Sequence, residues 1–412
     1  MDACSIDAKP LLTMADAYNR IQNALSTLVD TEALPIADAL GRVLSTDIAA
    51  PLALPHYCNA AMDGYAFNSQ DKPEQQGVHL RLVGTAWAGK PFLGHVPRGA
   101  CVRIFTGAVV PDGLDSVVMQ EQVQVVDEQI DVPAHIRCHQ NIRAAGEDVA
   151  KHDMLCTRYT KLTAAHISLL VASGIRTVDV LRQVNVVYFS TGDELVELGQ
   201  SLQLGQIYDS NRYLLQTLLT DACFNAHYGG ALPDDKALIA EHLKLAASDY
   251  DVIITTGGAS VGEADFISAV LVDIGSIDFW KIAVKPGKPL AFGRIGRSYF
   301  FGLPGNPGAV YVGFQQLLAP ALVALTGAIV QPPLWLSAIS LKQLKKSPGR
   351  EEYQFGLLSH DDKGRLTVVP AGPQGSHLLM TMAKANCLIR LPIECAGVAE
   401  GQLVSVRIIN HL

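Results

Sequence analysis

The chain has 412 residues, is 49% hydrophobic and carries a formal net charge of −8. That length and apolar content support a large core divided among roughly two to four domains, and they exclude a disordered or fibrous chain. The acidic balance excludes non-specific nucleic-acid binding, which needs a surplus of Lys and Arg to neutralise phosphates, and points instead to small-molecule partners.

Eight cysteines are scattered without a CxxC pair, and no charged n-region followed by an apolar h-region precedes the first helix. The thiols are therefore expected to be reduced and the protein cytoplasmic.

In chain order, Ala17, Ile21, Ala24, Leu25 and Leu28 recur at helical spacing and predict an amphipathic docking helix over 13–30. From 51 to 148 short alternating runs such as VHLRLVG and SVVMQEQVQVV, broken by Gly and Pro, predict a β-rich module. Within it, HIRCH offers His135, Cys138 and His139, but a fourth ligand and HExxH spacing are both missing, so no transition-metal site is expected. Residues 149–182 contain LTAAHISLLVASGI, a helix closed by Gly174. Pairing of that piece with the N-terminal helix would make the β-rich module an insertion.

From 184 onward strand and helix patterns alternate. Strands are predicted at 184–189, 224–228, 251–256 and 298–302, and helices at 211–221, 236–247, 266–274 and after 307. This is the signature of a parallel, doubly wound sheet, which binds ligands beyond the carboxyl ends of its strands. The apolar run 309–330 is long enough to span a bilayer. Its Gln315 and Gln316, and Pro320 within it, favour instead a buried helix ending near Gly327, with packing at a subunit interface as a further option. After QPP at 331–333 the pattern returns to short strands and turns. The fold expected is thus multi-domain α/β and β: a discontinuous helical linking domain (1–50 with 149–182), a β-rich inserted domain (51–148), a doubly wound α/β domain (183–331) and a small C-terminal β domain (332–412).

Charge is unevenly distributed. Between Lys281 and Arg350 there is no Asp or Glu but nine Lys or Arg, so the rest of the chain carries −17 against the total of −8. Such a contrast either focuses an anionic ligand or reflects basic flanks around a buried apolar segment.

Four loops at predicted strand ends carry the chemistry. STGDE brings Glu194, PDD brings Asp234, TTGGASVGEAD (255–265) brings Asp265, and LPGNP brings the helix start at Asn306. Each has a local explanation as a turn or helix cap; four at one rim are less easily dismissed. Gly257, Gly258 and Gly262 let backbone N–H groups approach a ligand, and helix starts near 264 and 307 add dipole ends suited to an oxyanion. In WKIAVKPGKP, Lys281 and Lys285 share a face if the segment is one extended strand, with Lys288 nearby. Carboxylates beside an anion cradle repel the ligand unless a divalent cation bridges them, and oxygen donors suit Mg²⁺. A Walker loop is excluded because GxxxxGK[ST] is absent, and the glycine spacing is not GxGxxG.

The motifs NAAMDGYAF (59–67), RIFTGAVVP (103–111), NIRAAGEDV (141–149), STGDEL (190–195), IYDSNR (207–212), TTGGASVGEAD, WKIAVKPGKP (280–289) and GLPGNP (302–307) resemble, in order, the molybdopterin molybdenumtransferases, MoeA and the E domain of gephyrin. The resemblance covers essentially the whole chain, through SPGR at 347–350 and QGSH at 374–377. One departure is Gly308 and Ala309 after GLPGNP, where relatives commonly carry a larger residue followed by Ser.

The resemblance implies a cytoplasmic homodimer with a central MogA-like, molybdopterin-binding α/β domain and a C-terminal β-barrel. It would take adenylylated molybdopterin and molybdate, insert molybdenum and release AMP with Mg²⁺ or another divalent cation. By motif match, Glu194, Asp234 and Asp265 would be cation ligands or acid–base groups, and Lys281 and Lys285 would hold phosphate or molybdate. Gly257, Gly258, Ser260, Gly262, Pro304, Gly305, Asn306 and Pro307 would line the substrate site, with Asp148 and Arg350 as weaker matches. Asp63 and Thr106 would act from the β-rich domain on the α/β site of the other subunit. A molybdopterin adenylyltransferase and molybdoenzyme maturation proteins are the implied partners; nucleic acid and membrane are not. Two other readings stay open here: an adenylyltransferase, which shares the GG-S-G and PGNP pattern, and a non-catalytic molybdopterin-binding scaffold.

Overall fold

A computed structural model describes residues 11–73, 76–258, 266–329 and 332–409. Its centre is a six-stranded sheet in the order Phe224–Leu232, Val184–Thr191, Val252–Thr256, Ser298–Leu303, Pro289–Ile295, Ser276–Lys281. The first four strands are parallel; Pro289–Ile295 runs antiparallel to them, and Ser276–Lys281 runs antiparallel to Pro289–Ile295. Alternate side chains of the near-continuous apolar strands feed two cores. Val184, Val186, Tyr188, Ile254 and Phe301 face the layer containing Ser210–Leu218 and the long helix Pro307–Leu325. Val187, Phe189, Ile253 and Phe300 face Lys236–Asp249 and Phe266–Ile274. Covering both faces with helices makes the doubly wound architecture expected from the alternating pattern.

The long helix has the length and apolar composition to cross a membrane, yet 72% of its apolar stretch is buried inside the protein. It contains a π-helical turn at Phe314–Leu318, just before Pro320 removes a backbone donor from the ladder. It ends at Leu325, and Gly327 takes a left-handed φ of 75° just beyond.

The N-terminal helix differs from expectation. It covers Met14–Ala24, with Thr13 accepting from the Asp16 N–H as its cap, and does not continue to residue 30. Leu25 and Leu28 still pack on the core, but as extended chain, with the Leu28 N–H donating to the Leu325 carbonyl at 3.0 Å. The helix packs against the long helix of the α/β unit, whereas Ala164–Ala172 packs near Ile36–Asp38. What joins the two flanks of the β-rich module is strand pairing: Thr31–Pro35 with Thr177–Leu181, and Ile48–Ala49 with Met154–Cys156.

The β-rich module is a six-stranded sheet ordered Ser116–Met119, Gly64–Phe67, Ala100–Ile104, Val78–Ala86, Gln129–Val132, Gln124–Val126. In the C-terminal region Glu351–His360, Leu366–Pro370, Leu336–Ser340, Leu403–Ile408 and Cys387–Leu391 pair in turn, and the last closes on the first. The result is a closed five-stranded barrel filled by Ala338, Val368, Cys387, Ile389, Val404 and Val406. A sixth strand, Val284–Lys285, runs parallel to Glu351 and Glu352 and stitches the barrel to the α/β unit.

Candidate active site

Thr191, Thr256 and Leu303 end three adjacent parallel strands, and a cleft of about 760 Å³ opens beyond them. All four expected loops reach it: Glu194, Asp234, Gly257 with Gly258, and Pro304 to Pro307 line it. Asp265, Ser260 and Gly262 lie outside the described residues. Gly257 has a φ of 88°, its N–H donates to the Leu303 carbonyl at 3.1 Å, and a Cβ placed on it would stand 2.6 Å from the Thr191 carbonyl oxygen. Only glycine lets the three strand ends approach this closely.

The local explanations for the polar residues separate cleanly. Asp235, not Asp234, caps the helix Lys236–Asp249, accepting from the Ala237 and Leu238 N–H groups at 2.8 and 3.0 Å. Asp234 is thereby left to the cleft. Burial, then the charges of Asp193 and Glu194, push the Asp234 carboxyl above its usual range, while its backbone N–H donates to Asp193 at 3.2 Å. Asn306 occupies the N-cap position before Pro307 but makes no side-chain cap bond, and it too lines the cleft.

A second cavity of about 400 Å³ adjoins the first, between the α/β unit and the barrel. Pro289, Pro304, Asn306 and His377 line both. Its basic groups are Lys285, Lys288 and Arg350, drawn from the two ends of the acid-free segment. The Lys285 ammonium is 3.3 Å from both oxygens of Glu352, a carboxylate with 4% exposure that also accepts from Gln354 at 2.9 Å. The wall from the barrel is Gln374 to His377, held by paired hydrogen bonds between the Gln374 amide and the Phe355 backbone. The Gly308 N–H donates to the Ser376 carbonyl at 2.8 Å, and a Cβ on Gly308 would sit 2.9 Å from that oxygen. The barrel's close approach thus accounts for glycine at this position.

One expectation fails on geometry. Lys281 and Lys285 do not share an extended strand: Lys281 ends Ser276–Lys281 in the α/β sheet, and Lys285 lies in the separate strand Val284–Lys285 of the barrel sheet. Ile282 and Ala283 are buried between them, with the Ala283 N–H donating to the Leu12 carbonyl at 2.7 Å. The crossing between sheets breaks the two-residue period, and Lys281 lines neither cavity.

Asp63, Thr106 and Asp148 also line neither cavity. Asp63 Oδ1 accepts from the Thr106 N–H at 2.8 Å and hydroxyl at 2.7 Å, bonds that lower the carboxyl below its usual range. Asp148 is exposed, with its N–H donating to the Leu54 carbonyl at 3.1 Å.

Three residues of the cavities escaped the sequence reading. Asp209 caps Ser210–Leu218 by accepting from the Arg212 N–H at 3.0 Å; the Asn211 amide donates to the Gly305 carbonyl at 2.7 Å; and His377 stands where the cavities join. Asn211 Oδ1 is enclosed with no hydrogen-bond partner among the described residues. Asp209 and Asn211 lie in IYDSNR and His377 in QGSH, two family motifs whose spacing assigns no role to any one residue.

Chemically, the cleft offers glycine-lined strand ends and oxygen donors, while the adjoining cavity offers fixed positive charge. That combination suits a metal-bound phosphate ester lying beside a free oxyanion.

Comparisons with known proteins agree on one family. The model for the MoeA N-terminal region (domain I and II) matches residues 12–174, that for a probable molybdopterin binding domain matches 188–324, and that for the MoeA C-terminal region (domain IV) matches 337–409. A molybdopterin molybdenumtransferase of Haemophilus influenzae is 42% identical over 98% of this chain and 100% of its own. Its counterpart in a Nostoc species is 34% identical over 96% and 94%. Among solved structures, the molybdopterin biosynthesis moeA protein of Pyrococcus horikoshii OT3 superposes with a TM-score of 0.82 at 27% identity, covering 97% of this chain and all of that one.

Proposed function

The chain belongs to the molybdopterin molybdenumtransferase family, and on that premise we propose how its two joined cavities divide the work of inserting molybdenum. It is a transferase of molybdenum cofactor biosynthesis. The adenylyltransferase alternative is not favoured, because the matches extend through 12–174 and 337–409 as well as the α/β unit.

Adenylylated molybdopterin lies in the strand-end cleft, its phosphates against the Gly257 and Gly258 backbone and the helix start at Pro307. The Asn306 and Asn211 side chains orient it from the rim, and Pro304 and Pro307 fix the loop that carries them. Molybdate occupies the adjoining cavity, held by Lys285, Lys288 and Arg350. The observation that carries this reading is the continuity of the two cavities through Asn306 and His377, which sets an oxyanion pocket beside the phosphate cleft.

Glu194 and Asp234 fit a divalent cation. Both carboxylates line the cleft, and the charges of Asp193 and Glu194 are among the causes that raise the Asp234 carboxyl, a repulsion that Mg²⁺ with oxygen ligands would relieve. Bound there, the cation would neutralise phosphate charge as AMP leaves. Without the cation, Asp234, held above its usual range by burial and by the Asp193 and Glu194 charges, is disposed to take up a proton. Asp265 joins this set by its motif match.

Asp63 and Thr106 serve the cleft of a second subunit in a homodimer, which explains why they line neither cavity of their own chain. The protein acts in the cytoplasm downstream of a molybdopterin adenylyltransferase. Incubation with adenylylated molybdopterin, Mg²⁺ and molybdate, following AMP and molybdenum incorporation together, tests the reading; AMP release without incorporation contradicts it.

A further inference from the structure

HIRCH has no place in the cleft, yet the fold completes it. Cys138 Sγ, a ring nitrogen of His139 and a carboxylate oxygen of Asp115 all lie within 4.8 Å of one another. His135 is not in the group; the third donor comes from a residue 23 positions before Cys138, which spacing within the motif does not reveal.

The Asp115 carboxylate has acceptor capacity for about four bonds. Oδ1 accepts from the Ser69 N–H at 2.7 Å and the Ser116 hydroxyl at 3.0 Å. Oδ2 accepts from the Ser69 hydroxyl at 2.7 Å and from the Cys138 thiol at 3.5 Å. A cation entering between sulfur and Oδ2 therefore displaces one proton, that of the thiol, and leaves the other three bonds to orient the carboxylate. The loop is fixed from both sides. Ile136 is buried, the Val117 N–H donates to the Gln140 carbonyl at 3.0 Å, and the His139 N–H donates to the Ser116 hydroxyl at 3.1 Å with a left-handed φ of 60°.

From this arrangement we infer that Asp115, Cys138 and His139 form a site for a divalent transition metal of intermediate softness such as Zn²⁺, with the fourth position open to water. Tetrahedral zinc needs its ligand atoms about 3.3–3.8 Å apart. Cys138 and His139 are exposed, so closing the group to that spacing would fall to their side chains and not to the strand at Ser116–Met119. Bound metal would pin the loop to that strand, outside both cavities.

The test is titration of chelator-treated full-length protein with Co²⁺, following the near-ultraviolet thiolate-to-cobalt band, with Zn²⁺ displacement to measure affinity. The expected result is one equivalent per chain, with the band lost in Cys138→Ser and the Zn²⁺ affinity lowered at least about tenfold in His139→Ala. His135→Ala and Cys58→Ser should leave both unchanged; Cys58 is the other exposed cysteine among the described residues. Absence of the band, its survival in Cys138→Ser, or its loss in Cys58→Ser overturns the assignment.

Discussion

The Asn211 amide donates to the Gly305 carbonyl at 2.7 Å, joining the first turn of Ser210–Leu218 to the Pro304–Pro307 loop across the mouth of the cleft. A helix start and a loop 94 residues apart thus hold one another, and Asn211 Oδ1 has no hydrogen-bond partner among the described residues. Asn211→Ala should lower stability by about 1 kcal/mol, the usual worth of one such bond, and weaken adenylylated molybdopterin binding by more than that loss explains. Denaturant unfolding alongside calorimetric binding separates the two effects.

Gly257→Ala should be more damaging. A left-handed backbone costs an L-residue about 1–2 kcal/mol before any clash is counted, and the added Cβ meets the Thr191 carbonyl. Reduced stability together with loss of nucleotide binding is the expected outcome; a variant that unfolds like the parent contradicts the packing account.

The pH response of the cleft follows from Asp234. Its carboxyl is raised in the folded protein by burial and by the Asp193 and Glu194 charges, so folding favours the protonated form. The resulting stabilisation is present below the ordinary carboxylate range and is lost as pH rises through the raised value. Metal-free protein should therefore lose a small amount of stability over that window, because the site is largely solvated. Mg²⁺ should bind more tightly as pH rises, since it competes with the proton. Asp234→Asn should flatten both trends in thermal-shift measurements.

Lys285 carries two duties that different substitutions separate. Lys285→Gln should lose molybdate binding and also leave the buried Glu352 carboxylate without its cation, at a cost of about 1–3 kcal/mol. Glu352→Gln with Lys285 intact should retain molybdate binding. Equal molybdate affinity in the Lys285→Gln protein would remove Lys285 from the oxyanion pocket.

If Asp63 serves a second subunit, Asp63→Asn and Asp234→Asn proteins should each be inactive, and a mixture should recover activity. Random 1:1 exchange yields half heterodimers with one intact site each, or about a quarter of wild-type activity. No recovery after verified subunit exchange would place Asp63 in its own chain's chemistry.

Much of the α/β unit is legible in sequence because buried parallel strands are near-continuous apolar runs, and the helix expected at 266–274 is observed as Phe266–Ile274. The convergence of Glu194, Asp234 and Asn306 follows from the same topology, since strand order places their loops on one edge. Three things were not legible, for physical reasons. Apolar spacing at Leu25 and Leu28 persists where the helix has ended, because those side chains bury against the long helix either way. The Lys281–Lys285 relation depends on a crossing between two sheets, which no local period encodes. Asn211 and His377 reach the site through contacts between distant segments, so their motifs were visible while their places were not.

The most direct test of the central claim is a single-turnover reaction of purified protein with adenylylated molybdopterin, Mg²⁺ and molybdate, measuring AMP release and molybdenum incorporation in wild type and Glu194→Gln. The account predicts coupled formation of both products in wild type and loss of both in the variant at unchanged thermal stability. Coupled turnover that persists in Glu194→Gln, or synthesis of adenylylated molybdopterin from ATP in place of insertion, would contradict it.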